Sequence, residues 1–214
     1  MKTELSRSEP VEERDAVVES PARAGVESRR SPEEIEAERE LIRAVQAGDH
    51  AAFETLVKTY EQKVFWVAYN FLGNTEDARD VAQDSFMRVF KAIDRFDLRF
   101  NFYTWLYRIV VNLSIDRIRK KSKRATVSIE DFPTDPADER TPEDAFRETE
   151  KGRKILEVLD ELPTKYRTMI VLRDIEELSC EEIAVIIGCT NATTRWRLHR
   201  ARELFKERWE RIEI

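Results

Sequence analysis

Glycine is scarce in this chain, five among 214 residues, against 41% hydrophobic and 37% charged residues. With so few turn formers between long periodic runs there is little room for hairpins, and the pattern reads as all-α. Cysteine is scarcer. Cys180 and Cys189, with eight residues between them, match no zinc spacing even with His199 nearby, and are expected to be reduced thiols. No run is apolar and long enough for a signal peptide or a membrane helix, so a soluble, cytoplasmic protein without membrane insertion is expected. Paired carboxylates, a nucleophile–base pair and a phosphate loop are all missing, and neither histidine has a partner beside it. These absences argue against an enzyme and against a bound metal or cofactor.

What is present is charge in blocks. The formal net charge is −6, yet residues 98–124 carry eight Lys/Arg against the single acid Asp116, while residues 130–150 carry nine acids against two arginines. Local sign, not the sum, decides which parts can approach nucleic acid.

Residues 1–31 hold almost no large apolar side chains and are expected to be a disordered tail, either regulatory or inert. Ser31 as cap and Pro32 at the first helical position open a helix through Ile35, Leu41, Ile42 and Val45 to Gly48. Asp49 caps a longer core helix whose apolar face runs from Phe53 through Leu56, Tyr60, Val64 and Val67 to Phe71, ending at Gly73. Asn74 or Thr75 caps a third, with Ala78, Ala82, Phe86, Val89 and Ile93 inward and Asp77, Asp80 and Asp84 outward. That acidic row is either a solvated face or a surface for a basic protein.

The densest aromatic and basic stretch follows. Leu106, Ile109, Val110 and Leu113 form a buried stripe, while Arg108, Asn112, Asp116 and Arg119 recur as a polar row that a plain core helix does not need. Aromatic faces beside a basic row suit single-stranded nucleic acid, whose bases stack while its backbone is neutralised. Pro133, Pro136 and Pro142 among many acids mark 122–147 as a flexible linker between two small helical domains, 32–121 and 148–214. Lys154 to Leu162 reads as a helix ended by Pro163 and Lys165 to Ile175 as a second, and a helix-turn-helix follows over Ser179 to Arg202. Ser179 and Glu182 form a capping box, Gly188 supplies the turn, and Thr190 or Asn191 caps a helix packed through Thr194, Leu198, Ala201 and Phe205. Arg195, Arg197, Arg200 and Arg202 lie off that stripe, as a helix facing phosphates and guanine edges requires. Trp209 is expected to pack on Phe205.

With these residues assembled, the chain resembles a bacterial RNA polymerase sigma factor of the extracytoplasmic-function group, the RpoE-like group IV of the sigma-70 family, over about Ala44 to Arg208. DARDVAQDSF (Asp77 to Phe86) is similar to the segment that binds the clamp helices of the largest polymerase subunit, which implies polymerase contacts from Asp77, Asp80, Gln83, Asp84 and Phe86. FYTWLYRIVVN (Phe102 to Asn112) is similar to the segment that melts and reads the minus-10 element, implying roles for Phe100, Tyr103, Trp105, Arg108, Asn112, Arg119 and Lys120. LPTKYRTMIVLRDIEELSCEEIA (Leu162 to Ala184) and LHRAR (Leu198 to Arg202) resemble the minus-35 domain, implying Thr193, Arg195, Trp196, Arg197, His199 and Arg200. Two positions depart from the pattern: Trp196 places a large ring where the family has serine, and Thr194 replaces an apolar core residue, which is expected to loosen the recognition helix slightly.

The resemblance implies an initiation factor with no active site and with core RNA polymerase, promoter DNA and an anti-sigma factor as partners. A stand-alone helix-turn-helix regulator is the alternative, but it leaves Asp77 to Asp84 and Phe96 to Asn112 without a use. An interaction-only adaptor is a third, against which the basic aromatic segment speaks. In the family this chain resembles, the two promoter elements lie about two helical turns apart, roughly 60–70 Å at about 34 Å per turn. A relaxed coil of the linker's length spans only about 25–30 Å, against about 80–90 Å fully extended. The free protein is therefore expected to be compact, its acidic linker screening a basic surface, and polymerase to hold the two domains apart.

Overall fold

The computed structural model describes residues 31–124 and 149–212. The expected tail and linker lie outside them, except for Ser31 and residues 122–124, which end a helix. Among the described residues the chain is helical throughout. A first bundle contains α1 (Pro32–Gln46), α2 (His50–Leu72), α3 (Thr75–Ala92), a 3₁₀ turn (Ile93–Arg95) and α4 (Phe102–Arg124). A second contains α5 (Glu150–Glu161), α6 (Thr164–Ile170) with a π-helical turn (Val171–Ile175), α7 (Cys180–Ile187) and α8 (Asn191–Ile212).

Local chemistry sets the helix boundaries. The Ser31 hydroxyl accepts from the Glu34 amide and the Glu34 carboxylate accepts from the Ser31 amide, a full capping box. Asp49 accepts from the amides of Ala51 and Ala52, and Asn74, not Thr75, caps α3 through the Asp77 amide. Asn101 caps α4 by accepting from the Thr104 amide at 3.1 Å. Gly73 and Gly188 end α2 and α7 at φ 64° and 67°, the left-handed conformation that only glycine takes without strain.

In the first bundle α2 packs between α3 and α4, burying Leu56, Tyr60, Val64, Val67 and Phe71 against Val81, Val89, Phe102, Leu106 and Val110. Phe71 and Phe102 are wholly enclosed, each contributing about 1.5–3 kcal/mol. In the second, α8 is the spine, and α5, α6 and α7 all pack on it through Leu159, Met169, Ile183, Leu198 and Ala201.

The two bundles also touch. α4 packs on α7, and α2 meets the π turn. That turn, closed by Glu176 N–H to Val171 carbonyl at 2.9 Å, delivers Glu176 to the junction. There the Glu176 carboxylate accepts from Asn70 Nδ2 at 3.0 Å and from the Tyr107 hydroxyl at 3.1 Å. Arg167, paired with Asp160, donates to the Asn70 carbonyl at 3.4 Å. Asn70 and Arg167 are 1% and 5% exposed, so these polar bonds sit in a closed seam.

Candidate functional site

Three surfaces carry the residues singled out by the sequence. On α4, Arg108, Asn112, Asp116, Arg119 and Lys120 are exposed, as the periodicity requires. Trp105 is half-buried at the edge of this row, its ring 4.9 Å from Phe96 and 5.7 Å from Phe102, which holds the indole rigidly while leaving part of it open. Phe100 stands exposed in the loop before the helix.

Tyr103 departs from the expectation. It lies on the opposite side of α4, buried, its ring 3.9 Å from that of Tyr107 and under the second bundle. Burial pushes both phenols up from their ordinary pKa, and the nearby Glu176 charge adds to the rise. One hundred degrees per residue explains the miss: Tyr103 and Tyr107 are four apart and share a face, while Arg108 and Asn112 share the other.

On α3 the acidic row is not uniform. Gln83 and Asp84 are exposed and Phe86 is half-buried against the core. Asp77, expected outside, is buried: its carboxylate accepts from Arg117 Nε at 2.7 Å and meets Lys121 Nζ at 2.8 Å. Arg117 also reaches Asp80 at 2.8 Å. Burial alone would raise the Asp77 carboxyl, but the hydrogen bonds from Lys121 and Arg117 outweigh it and hold the group below its ordinary value. Asp77 is thus a tie between α3 and α4, and Arg117 and Lys121 are taken out of the basic run.

A depressed carboxylate stabilises the fold above its unfolded pKa, and that contribution fades as pH falls through the folded value. Asp77→Asn should therefore cost about 1–3 kcal/mol at neutral pH, with the gap to the unmodified chain closing in acid. Denaturant melts at pH 7 and pH 3 measure it; an equal gap at both would exclude the tie.

The third surface is α8. Thr190 is its cap, accepting from the Thr193 amide at 3.1 Å, and the Thr193 hydroxyl is bonded to Thr190 as well. Thr194 is fully buried, and its hydroxyl donates to the Thr190 carbonyl at 3.2 Å, so the polar group that replaces an apolar one here is satisfied. Arg195, Trp196 and His199 are exposed, and Arg197 and Arg200 half-buried. Arg200 lies 3.0 Å from Glu203 and 3.8 Å from Glu207, and Arg195 3.6 Å from Glu181. Such solvent-facing pairs are weak and yield readily to phosphate. Arg202 is committed elsewhere, pinning α8 to Asp174 of the π turn. Phe205 and Trp209 stack at 6.0 Å as expected.

The profile described as Sigma-70 region 2 matches residues 56–124, and that described as Sigma-70, region 4 matches residues 152–205. The ECF RNA polymerase sigma factor SigW of Bacillus subtilis is 41% identical over 174 residues, covering 78% of this chain and 93% of the relative. The chain belongs to the ECF RNA polymerase sigma factors. The RNA polymerase sigma-H factor of Pseudomonas aeruginosa is 35% identical over 78% of this chain and 91% of its own length. The fold matches CnrH, solved in complex with the cytosolic domain of CnrY, at TM-score 0.60 and 26% identity over 80% of this chain and 96% of that one. It also matches the sigma factor RpoE of Bartonella quintana at TM-score 0.59, with 23% identity over 74% of this chain and 96% of that one.

In this sigma factor, region 2 shows a feature that the acidic row obscured. Met87 and Phe90 are exposed on α3, 50% and 43%, and Phe90 stands edge-on to Phe53 at 5.0 Å. Gln83, Met87 and Phe90 are four and three residues apart and share one stripe. The signal was in the sequence, since both apolar residues fall off the inward stripe through Ala78, Ala82, Phe86, Val89 and Ile93. Glu176, which ties region 4 to region 2, carries no such signal.

Proposed function

We propose that the chain directs core RNA polymerase to promoters, with region 2 opening and reading the minus-10 element and region 4 reading the minus-35 element. The observation that carries this is one chain presenting both an exposed Arg108–Asn112–Arg119 row beside a clamped indole and a helix-turn-helix with a basic outer face. In this reading Gln83, Asp84, Met87 and Phe90 face polymerase, with Phe86 behind them; Asp77 and Asp80 act through the ties that hold α3 on α4. Phe100, Trp105, Arg108, Asn112, Arg119 and Lys120 meet the downstream element. Tyr103 supports α4 from its far side. Thr193, Arg195, Trp196, Arg197, His199 and Arg200 meet the upstream one.

The chain supplies binding and no reaction of its own, the catalysis being polymerase's, and it works in the cytoplasm where the DNA is. No helix among the described residues is long and apolar enough to cross a membrane. An anti-sigma partner belongs to the same reading, in keeping with the resemblance and with CnrH having been solved with a protein domain bound. The two domains are taken as 32–121 and 148–214, with α4 running three residues past the first boundary, to Arg124.

Transcription in vitro with core polymerase on genomic fragments, start sites mapped, tests the assignment. A stand-alone regulator would bind its sites without polymerase; this chain should not initiate or footprint without it. Within region 2, Trp105→Ala and Asn112→Ala should impair the open complex about tenfold or more while leaving closed-complex binding nearly intact, because unstacked bases need a ring and an amide that a duplex does not. Permanganate reactivity of promoter thymines reads this directly, and equal losses at both stages would mean that the bundle had merely been weakened.

A further inference from the structure

Trp196 is 63% exposed, more than Met87, Phe90 or Phe100, and among the described residues no ring stacks on it. Thr194, Leu198 and Ala201 turn into the core of region 4. A 3.6-residue period therefore puts Trp196 on the opposite, outermost line of α8 with Ala192, His199 and Glu203, and Arg195 and Arg200 to either side of it. An indole left in water at the centre of a cationic face adds nothing to the fold. What bears on it is position: in the reading above, this face of the second helix meets base edges.

The ligand chemistry is restricted. The second helix of a helix-turn-helix meets base edges through its N-terminal residues in the major groove. There the bases present donors and acceptors and one apolar group, the C5 methyl of thymine. A serine at this position, as the family pattern has, can bond donors or acceptors of any base. An indole accepts from none and has a single donor, Nε1–H; against N7, O6 or an amino edge its carbon face strips water without replacing it, whereas against a thymine methyl the burial is favourable.

We propose that Trp196 makes this factor thymine-selective at one position of its upstream element, through contact of the indole with the C5 methyl. This rests on the sigma-factor reading above and deepens its region 4 surface. Arg195 and Arg200 flank the ring and supply phosphate and guanine contacts, so Trp196 adds discrimination where they add attraction.

The test uses full-length protein with core polymerase. Promoters are selected from a pool randomised in the upstream element, and the enriched thymines are replaced singly by deoxyuridine, which deletes only the methyl. One thymine should emerge at which deoxyuridine weakens promoter binding about three- to tenfold, burial of a methyl alone accounting for about fourfold. With Trp196→Ser the same position should become degenerate and insensitive to deoxyuridine, while Trp196→Phe retains part of the preference. Unchanged circular dichroism melts and unchanged core affinity show that the exposed substitution leaves the fold alone. If no enriched thymine is methyl-sensitive, or if Trp196→Ser loses as much as the unmodified chain, the proposal is overturned and the function stands. If the holoenzyme initiates from no template, the functional reading itself falls, and this proposal with it.

Discussion

Core polymerase added to the free factor, carrying dyes at positions 76 and 157, is expected to cut energy transfer from near-complete to a minor fraction. Both positions are exposed, and each lies a turn from residues that meet across the seam: a Cβ built on Gly73 would stand 3.8 Å from Asp160 Oδ2. On the proposed function, with the family's two elements about two helical turns apart, the two reading surfaces must stand about 60–70 Å apart at about 34 Å per turn. The seam must therefore open whenever both elements are read. Glu176→Lys should lower the transfer before any polymerase is added, because it sets an ammonium against the Asn70 amide and the Tyr107 hydroxyl that now donate to the carboxylate. Transfer that stays high with polymerase bound would show that the packed arrangement persists on the enzyme.

The second large effect belongs to α3. Met87→Asp combined with Phe90→Asp should weaken core binding about 30-fold or more, since apolar anchors at the centre of an interface each carry about 2 kcal/mol or above. Met87 is half exposed, but Phe90 also packs on Phe53 and His50, so the bundle should lose only about 1 kcal/mol, far less than the binding. Asp84→Arg should lose less, and should recover part of that loss at high salt, where the repulsion it introduces against a basic partner is screened. Asp80→Arg is the poorer probe, because Asp80 already answers Arg117 and its loss would disturb α4 as well. Competition against labelled wild-type factor gives the ratios, and undiminished affinity in the double variant would move the polymerase surface off this stripe.

What could be read in the chain was what is local. Ser31, Asp49, Asn74, Ser179 and Gly188 sit within four residues of the groups they satisfy, so their roles follow from spacing alone. The same holds for the two stripes of α8. The partners of Asp77 lie 40 and more residues away, and a carboxylate at helical spacing looks the same whether water or Arg117 meets it. Tyr103 was misplaced because it stands in an aromatic run, where nothing in the spacing tells a ring that packs on Tyr60 and Tyr107 from one left open to a base. Masking was expected from the acidic stretch 122–147, which lies outside the described residues but for 122–124. The contact that is seen runs directly from α4 to α7.

The two opposite faces of α4 have a consequence for affinity. The tyrosine face holds the second bundle and the Arg108–Asn112 face looks outward, so the packed factor still presents its downstream reader while its upstream reader cannot reach the same promoter. Such a molecule binds DNA with one hand. Joining two sites through one molecule multiplies affinity by about 10²–10⁴ only when both can engage together. That multiplier is withheld until polymerase spreads the bundles. The free factor then dissociates quickly from isolated elements across the chromosome, and tight, long-lived occupancy is confined to places where both elements and the enzyme coincide.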